Sequence, residues 1–362
     1  MEQLNPNAIN FAYTKSKFTP DDTSKGLFMF LIMQTLITLV YQVLYMVGLT
    51  APMWAYVVTL VLDACFVLSV YSITKYKKVN FWSNIKLNKA PTIMQAVIAL
   101  GIALICIFGF SSVTNLFMEL LYSAGYTSAS GSDIVINNFG MYMFYTFFVC
   151  IVPAFCEEIL FRGLICNGLK KISTSAAVFG SAFLFMIMHG SPDQTVHQFL
   201  LGIVLALVFL ATNNLWVTML IHFFNNFIAV TYSYIAYGDS ASTATDTVVQ
   251  IPWVQYAIYA IISAIVAGAL IYLMLRLLTK FNKKSDEVTP IDLKETPGIT
   301  ESNTETEAEN TQETIDGLPY QTEPVEEQYE NKFSGSGKAM LIIAVVWLAI
   351  DWISALILGF MP

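Results

Sequence analysis

The sequence predicts an all-α fold, a polytopic membrane helix bundle of about nine transmembrane helices with its N-terminus in the cytoplasm. Three observations lead there. Hydrophobic residues make up 56% of the chain against 12% charged, and mean hydropathy is +0.61, so a water-facing surface cannot be covered. The apolar residues fall in runs near the roughly 20 residues that a helix needs to cross about 30 Å of hydrocarbon. Finally, Lys and Arg segregate to one side of the path those runs define.

The runs are Leu27 to Val47, Trp54 to Thr74, Thr92 to Leu116, Phe139 to Leu160, Ala176 to Met188, Gln198 to Thr212, Trp216 to Ile235, Trp253 to Leu278 and Ala339 to Phe360. The fifth and sixth are short, but the polar turn Ser191 to Gln194 separates them and Asn213-Asn214 ends the pair. Residues 1–26 are polar and contain Pro6, Pro20, Asp21 and Asp22, so no cleavable signal peptide is expected and the first run is read as a retained helix. With the N-terminus inside and nine crossings, every Lys and Arg except Arg162 falls on the cytoplasmic side. The outer loops Tyr122 to Asn138 and Gly238 to Pro252 carry no base.

The domains follow from the same pattern. A polar segment (1–26) precedes three membrane helices (27–138), a membrane core (139–236), an eighth helix (237–284), an acidic segment (285–337) and a C-terminal helix (338–362). Between Ser285 and Asn331 the only base is Lys294 among many acids, so the acidic pI of 4.9 belongs to this stretch. It is rich in Glu, Thr, Asn and Pro and poor in large apolar residues, which predicts a disordered cytoplasmic segment whose partner the sequence does not name. Cys65, Cys106, Cys150, Cys156 and Cys166 all sit in apolar runs without paired ligand spacing, as small buried hydrophobes do. No internal repeat and no inverted pair of broken helices is visible, which argues against a transporter. The expected setting is a cell membrane, by the Lys-rich inner loops a bacterial plasma membrane, with the lipid bilayer as partner and no nucleic acid.

Ionisable groups within a span cost about 2.5 to 3.5 kcal/mol each on insertion scales, so their placement is informative. Glu157, Glu158 and Arg162 cluster in CEEILFRG, His189 ends the fifth run in FLFMIMHG, and His222, Asn225 and Asn226 interrupt the seventh in LIHFFNN. Glu158 and Arg162 are four apart and stack on one helix face, as do His222 and Asn226. A carboxylate beside an imidazole, shielded from bulk water, suits general-base chemistry. Glu157 with His189 is therefore read as the pair that activates a water, His222 and Asn226 as hydrogen-bond donors to the oxyanion formed at a peptide carbonyl, and Glu158 with Arg162 as the brace. An isolated Glu-Arg pair often serves only to join helices, and a His at a span end often meets the interface. Three such groups on near-successive spans favour a site. Asp63, Glu119 and Asp351 each stand alone and are read as packing or interfacial residues, and His197 as interfacial.

Glu157-Glu158-Ile159-Leu160-Phe161-Arg162, Phe185-Met186-Ile187-Met188-His189 and His222-Phe223-Phe224-Asn225-Asn226 resemble, in order and spacing, the three motifs of the CPBP family of intramembrane proteases. That family includes the CAAX prenyl endopeptidases and bacterial Abi-type immunity proteins. The resemblance covers residues 140–236. It implies a helical core with a catalytic cavity open to the cytosol, proteolysis of a membrane-associated peptide or protein, Glu157 and His189 on the water, and His222 and Asn226 at the oxyanion.

A metal remains open. Glu157, His189 and His222 could form a three-ligand zinc site with one open position, yet HExxH is absent and a water activated by Glu and His needs no ion. A Cys156 nucleophile ranks low, because its neighbours are apolar or acidic. The alternative of another class is a non-catalytic membrane scaffold or bacteriocin-immunity protein that keeps the motifs to hold its bundle together. At 1.5 Å per residue, His189 also falls nearer the outer face than Glu157 and His222, a mismatch that tilt or a recessed fifth helix must reconcile.

Overall fold

A computed structural model describes residues 17–49, 54–128, 136–237, 253–287 and 332–361. The regular elements among them are helices: α1 (Pro20–Met46), α2 (Trp54–Tyr76), the short α3 (Phe81–Asn84), α4 (Ile93–Ser123), α5 (Phe139–Leu169), α6 (Ala176–Met188), α7 (Thr195–Thr212), α8 (Leu215–Tyr237), α9 (Trp253–Glu287) and α10 (Gly335–Gly359). Eight of these are long and apolar enough to span a membrane, α7 together with the 3₁₀ turn Pro192–Gln194 before it. The exception among the nine runs is α6, which rises only about 20 Å. The sixth run is not short, since its helix starts upstream of Gln198, nor does the eighth end at Leu278, since α9 continues to Glu287. Most of the acidic segment, residues 1–16 and the loop 238–252 lie outside the described residues.

Local chemistry sets the helix ends. Thr19 and Asp22 form a reciprocal capping box at the start of α1, and Thr92 and Gln95 repeat it at α4. Asn213 adopts a left-handed conformation (φ 50°) and closes α7 through its N–H to the Phe209 carbonyl, a backbone state that Asn tolerates better than most residues.

Helix α5 is central, packing against α1, α2, α6, α7 and α8. Around it, α10 and α2 flank α1, while α4 lies along α9 and against α8. One large apolar cluster includes Phe30, Phe66, Phe161, Phe185 and Phe209, with Phe30 and Phe66 stacked at 4.1 Å. A second joins Ile102, Cys106, Leu205, Ile221 and Leu275 across α4, α7, α8 and α9. Lipid is as apolar as these side chains, so close packing rather than water exclusion selects the contacts. Outward residues such as Val40, Ile262 and Ile343 are accordingly as apolar as the core.

The connections show how the helices run. At one end of the bundle Asp22 pairs with Lys77 at 2.5 Å, the Leu215 N–H donates to the Lys86 carbonyl at 3.0 Å, and the Ser334 N–H donates to Asp21 Oδ1 at 2.8 Å. At the other end the Thr127 N–H donates to the Gly359 carbonyl at 2.7 Å, and Trp352 Nε1 donates to Thr195 Oγ1 at 2.9 Å. Helices α1 and α10 thus run parallel, starting at the same end. The chain is a multi-pass membrane protein.

Gly202 marks the closest helix approach near the site. A Cβ there would lie 2.9 Å from the Ala182 Cα and 3.0 Å from its Cβ, both on α6. Gly202→Val is expected to force α6 from α7 and lower stability by about 1 to 3 kcal/mol, read as an earlier melting transition of the detergent-solubilised protein.

Candidate active site

The site is built on α5, whose backbone is irregular where the chemistry sits. The α-helical segment Val152–Glu158 lies between two π-helical turns, Thr146–Ile151 and Ile159–Cys166. Such wide turns recur at functional sites, where they re-aim side chains. Pro153 adds a second irregularity: it has no N–H, so the Val149 carbonyl four residues earlier loses its α-helical donor. Asn226 Nδ2 on α8 donates to that carbonyl at 2.9 Å. A gap in one helix is filled by a side chain of another.

Arg162 is fully buried. Its Nη1 donates to Glu158 Oε1 at 2.7 Å and its Nη2 to the Gly202 carbonyl of α7 at 3.2 Å. The guanidinium carbon lies 4.4 Å from the Phe185 ring centroid, a cation–π contact that takes the place of water on that face. Glu158 is also fully buried, and its Oε1 takes a second contact from His222 Nδ1 at 3.0 Å. The expected i,i+4 ion pair is therefore one half of a three-residue network reaching from α5 to α8. Because the carboxylate accepts, the His222 proton is assigned to Nδ1 and Nε2 is left with a lone pair.

Nε2 of His222 faces Glu157, 4.0 Å from Oε2. That oxygen makes no hydrogen bond among the described residues. The gap is wider than a hydrogen bond, and a water is the natural bridge between two such groups. His189 is not within 4.0 Å of either carboxylate; its Nδ1 donates to the Phe185 carbonyl at 2.7 Å. The Phe185 ring meets both imidazoles, with centroids 4.8 Å from His189 and 5.7 Å from His222. Through that shared ring the short α6 brings His189 into the same region as His222.

Glu157, Glu158, Arg162, His189, His222 and Asn226 thus gather where α5, α6 and α8 meet. Glu157 and His189 do not touch, and Asn226 spends one amide hydrogen on Val149. Two further residues belong to this region. His197 on α7 lies 3.3 Å from Asn225 Oδ1, and Asn225 Nδ2 donates to Asn226 Oδ1 at 3.2 Å. His197 therefore ends a polar chain that runs to α5, and is more than an interfacial residue. Asp63 on α2, 6% exposed, interacts electrostatically with Glu157 and Cys156. The sequence holds one signal for it, a lone carboxylate in an apolar run, which does not say which helix it faces.

Among the described residues no group of three His, Cys, Asp or Glu side chains is placed to hold a metal ion. Glu157 and His222 approach one another, but His189 stays with Phe185, so this trio does not fit a zinc ion in this conformation.

Removing one partner of a buried ion pair leaves the other charged and desolvated. Arg162→Ala is expected to cost about 3 to 5 kcal/mol of stability, seen as a fall in melting temperature. Arg162→Lys is expected to recover only part, because a single ammonium cannot reproduce the fork that meets Glu158 and Gly202 together.

Residues 139–228 match the family described as Type II CAAX prenyl endopeptidase Rce1-like. The match spans about a quarter of the chain and includes each of the residues from Glu157 to Asn226 that the site brings together. Neither the curated proteins nor the solved structures compared with the chain gave a match. The segment that carries this site is thus similar to the CPBP/CAAX protease family of membrane endopeptidases.

Proposed function

We propose that the protein is an intramembrane endopeptidase that hydrolyses a peptide bond of a membrane-associated protein or peptide with a water activated by Glu157 and an imidazole. The observation that carries this reading is the pairing of a carboxylate oxygen without a hydrogen bond, Glu157 Oε2, with an imidazole lone pair, His222 Nε2, at 4.0 Å. A water between them gives one proton to Glu157 while His222 accepts its second hydrogen and fixes its lone pair. The water oxygen attacks the carbonyl carbon, and the carbonyl oxygen becomes the oxyanion. Asn226, held by Val149 through one amide hydrogen, has the second free to donate to that oxyanion. Glu157 then returns the proton to the leaving amine.

These roles differ in one respect from those implied by family likeness. The likeness pairs Glu157 with His189 and puts His222 at the oxyanion; the geometry favours His222 as the partner of Glu157, because Glu158 and Arg162 hold its tautomer and ring plane. His189 then lines the chamber and meets the substrate. Glu158 and Arg162 position His222 and touch no reacting atom. The proposed setting is a bacterial plasma membrane with the N-terminus in the cytoplasm, and the match to prenyl endopeptidases makes prenylated C-terminal peptides the first substrate class to try.

Glu157→Gln keeps size and hydrogen bonding but removes the base. It is expected to fold as wild type and to lose cleavage by about 10²- to 10⁴-fold, measured by mass spectrometry of membrane peptides from cells carrying either form. Biological function that persists in a stable Glu157→Gln protein would instead establish the scaffold or immunity role. Cleavage by the purified enzyme is expected to survive chelation and Cys156→Ala. Activity lost to a chelator and restored by zinc would overturn the metal-free assignment.

A further inference from the structure

Helix α10 presents two faces. Ala344 and Leu348 are buried in the large apolar cluster, with Leu341, Val345, Ala349 and Trp352 packed beside them against the rest of the bundle. The opposite face carries Ile342, Ile343, Val346, Trp347, Ile350 and Asp351, which line a shallow groove of about 410 Å³. It is bounded by the ridges 342-346-350 and 343-347-351, the i to i+4 rows that seat another helix in ridge-and-groove packing.

Two groups on this face do not suit lipid. Asp351 is exposed, sixteen residues after Gly335 and eight before Gly359, so it lies about 12 Å inside the end of a helix that rises about 37 Å. That places it within about 30 Å of hydrocarbon, and its side chain is too short to reach the interface as Lys or Arg would. Trp347, one turn deeper and 37% exposed, carries an indole N–H that only donates. Neither side chain forms a hydrogen bond or ion pair among the described residues. The middle of the exposed face of α9, with Ile258, Ile261, Ile262 and Ile265, is by contrast apolar, as lipid requires.

We propose that this face of α10 pairs with α10 of a second copy of the chain, Trp347 of each copy donating to Asp351 of the other. A second copy has the required complementarity. A donor and an acceptor one turn apart on one face become two symmetric hydrogen bonds when a twofold axis along the bilayer normal brings that face onto itself. Among the described residues no Lys or Arg is placed to serve Asp351 instead, because the bases near helix ends, such as Lys17, Lys77 and Lys338, lie at the opposite end of the bundle. Polar side chains between membrane helices act in this way, each bond adding modestly to close packing.

All five native cysteines are buried, so a single introduced cysteine reports on this surface. Ile350→Cys and, separately, Ile343→Cys would be expressed as two differently tagged copies in one cell and oxidised with copper-phenanthroline in the native membrane. A crosslinked band of twice the chain mass containing both tags is expected from each variant, and Ile262→Cys on α9 is expected to stay monomeric. Adding Asp351→Ala or Trp347→Phe to Ile350→Cys is expected to lower the crosslinked fraction about sevenfold. The proposal is overturned if both α10 variants remain monomeric, if the crosslinked species holds one tag only and so contains a different protein, or if Asp351→Ala leaves the fraction unchanged. None of these readouts depends on proteolysis.

Discussion

A buried arginine governs the interior of this protein. Arg162 cannot lose its proton and is fully buried, so the structure around it must answer a full positive charge. It does so with three kinds of contact at once: the Glu158 carboxylate one turn back on α5, a backbone carbonyl of α7, and the face of Phe185 from α6. Three helices are committed to one another by that single group. The same contact decides the fourth, because Glu158 also receives His222 from α8. The ion pair adds little stability by comparison with apolar packing of similar volume. What it does is specify which helices meet and at what rotation, a choice that apolar side chains in an apolar solvent make only weakly.

The network also makes two neighbouring carboxylates chemically different. Glu158 is held by a cation and an imidazole, whereas Glu157 faces His222 at 4.0 Å with an oxygen that makes no hydrogen bond among the described residues. Adjacent residues on a helix point about 100° apart, so one can be committed to structure while the other faces reactants. The irregular backbone of α5 extends this arrangement. Pro153 and the π-helical turns free a carbonyl, and Asn226 is drawn to it, so the side chain proposed to meet an oxyanion is oriented by a defect in the helix that carries Glu157.

Much of this was legible in the residues. The spans are long stretches of one solvent preference, so α1, α2, α4 and α8 could be located from composition alone, although α1 starts at Pro20, ahead of its apolar run, where Thr19 and Asp22 cap it. Glu158 and Arg162 could be paired from their spacing because both lie on one helix. His197 and Asp63 could not be placed, since each is a single polar residue in an apolar run and its meaning depends on the neighbour it faces. The contact between Glu157 and His222, in place of the expected one with His189, was hidden for the same reason: His189 bonds back to its own helix through the Phe185 carbonyl.

The sequence by itself determined that the chain is a helical membrane protein, roughly where its helices lie, and which three stretches hold the polar groups that the structure gathers. All of these are set by hydropathy and by spacing along one helix, which are local quantities. Only the tertiary structure decided that Glu158 would share one oxygen between Arg162 and His222, that Asn226 would be anchored by Val149, and that α10 would turn Asp351 away from the bundle. Those outcomes depend on how helices rotate against one another, and in lipid that rotation is settled by the few buried polar groups that must find a partner, not by the apolar residues that surround them.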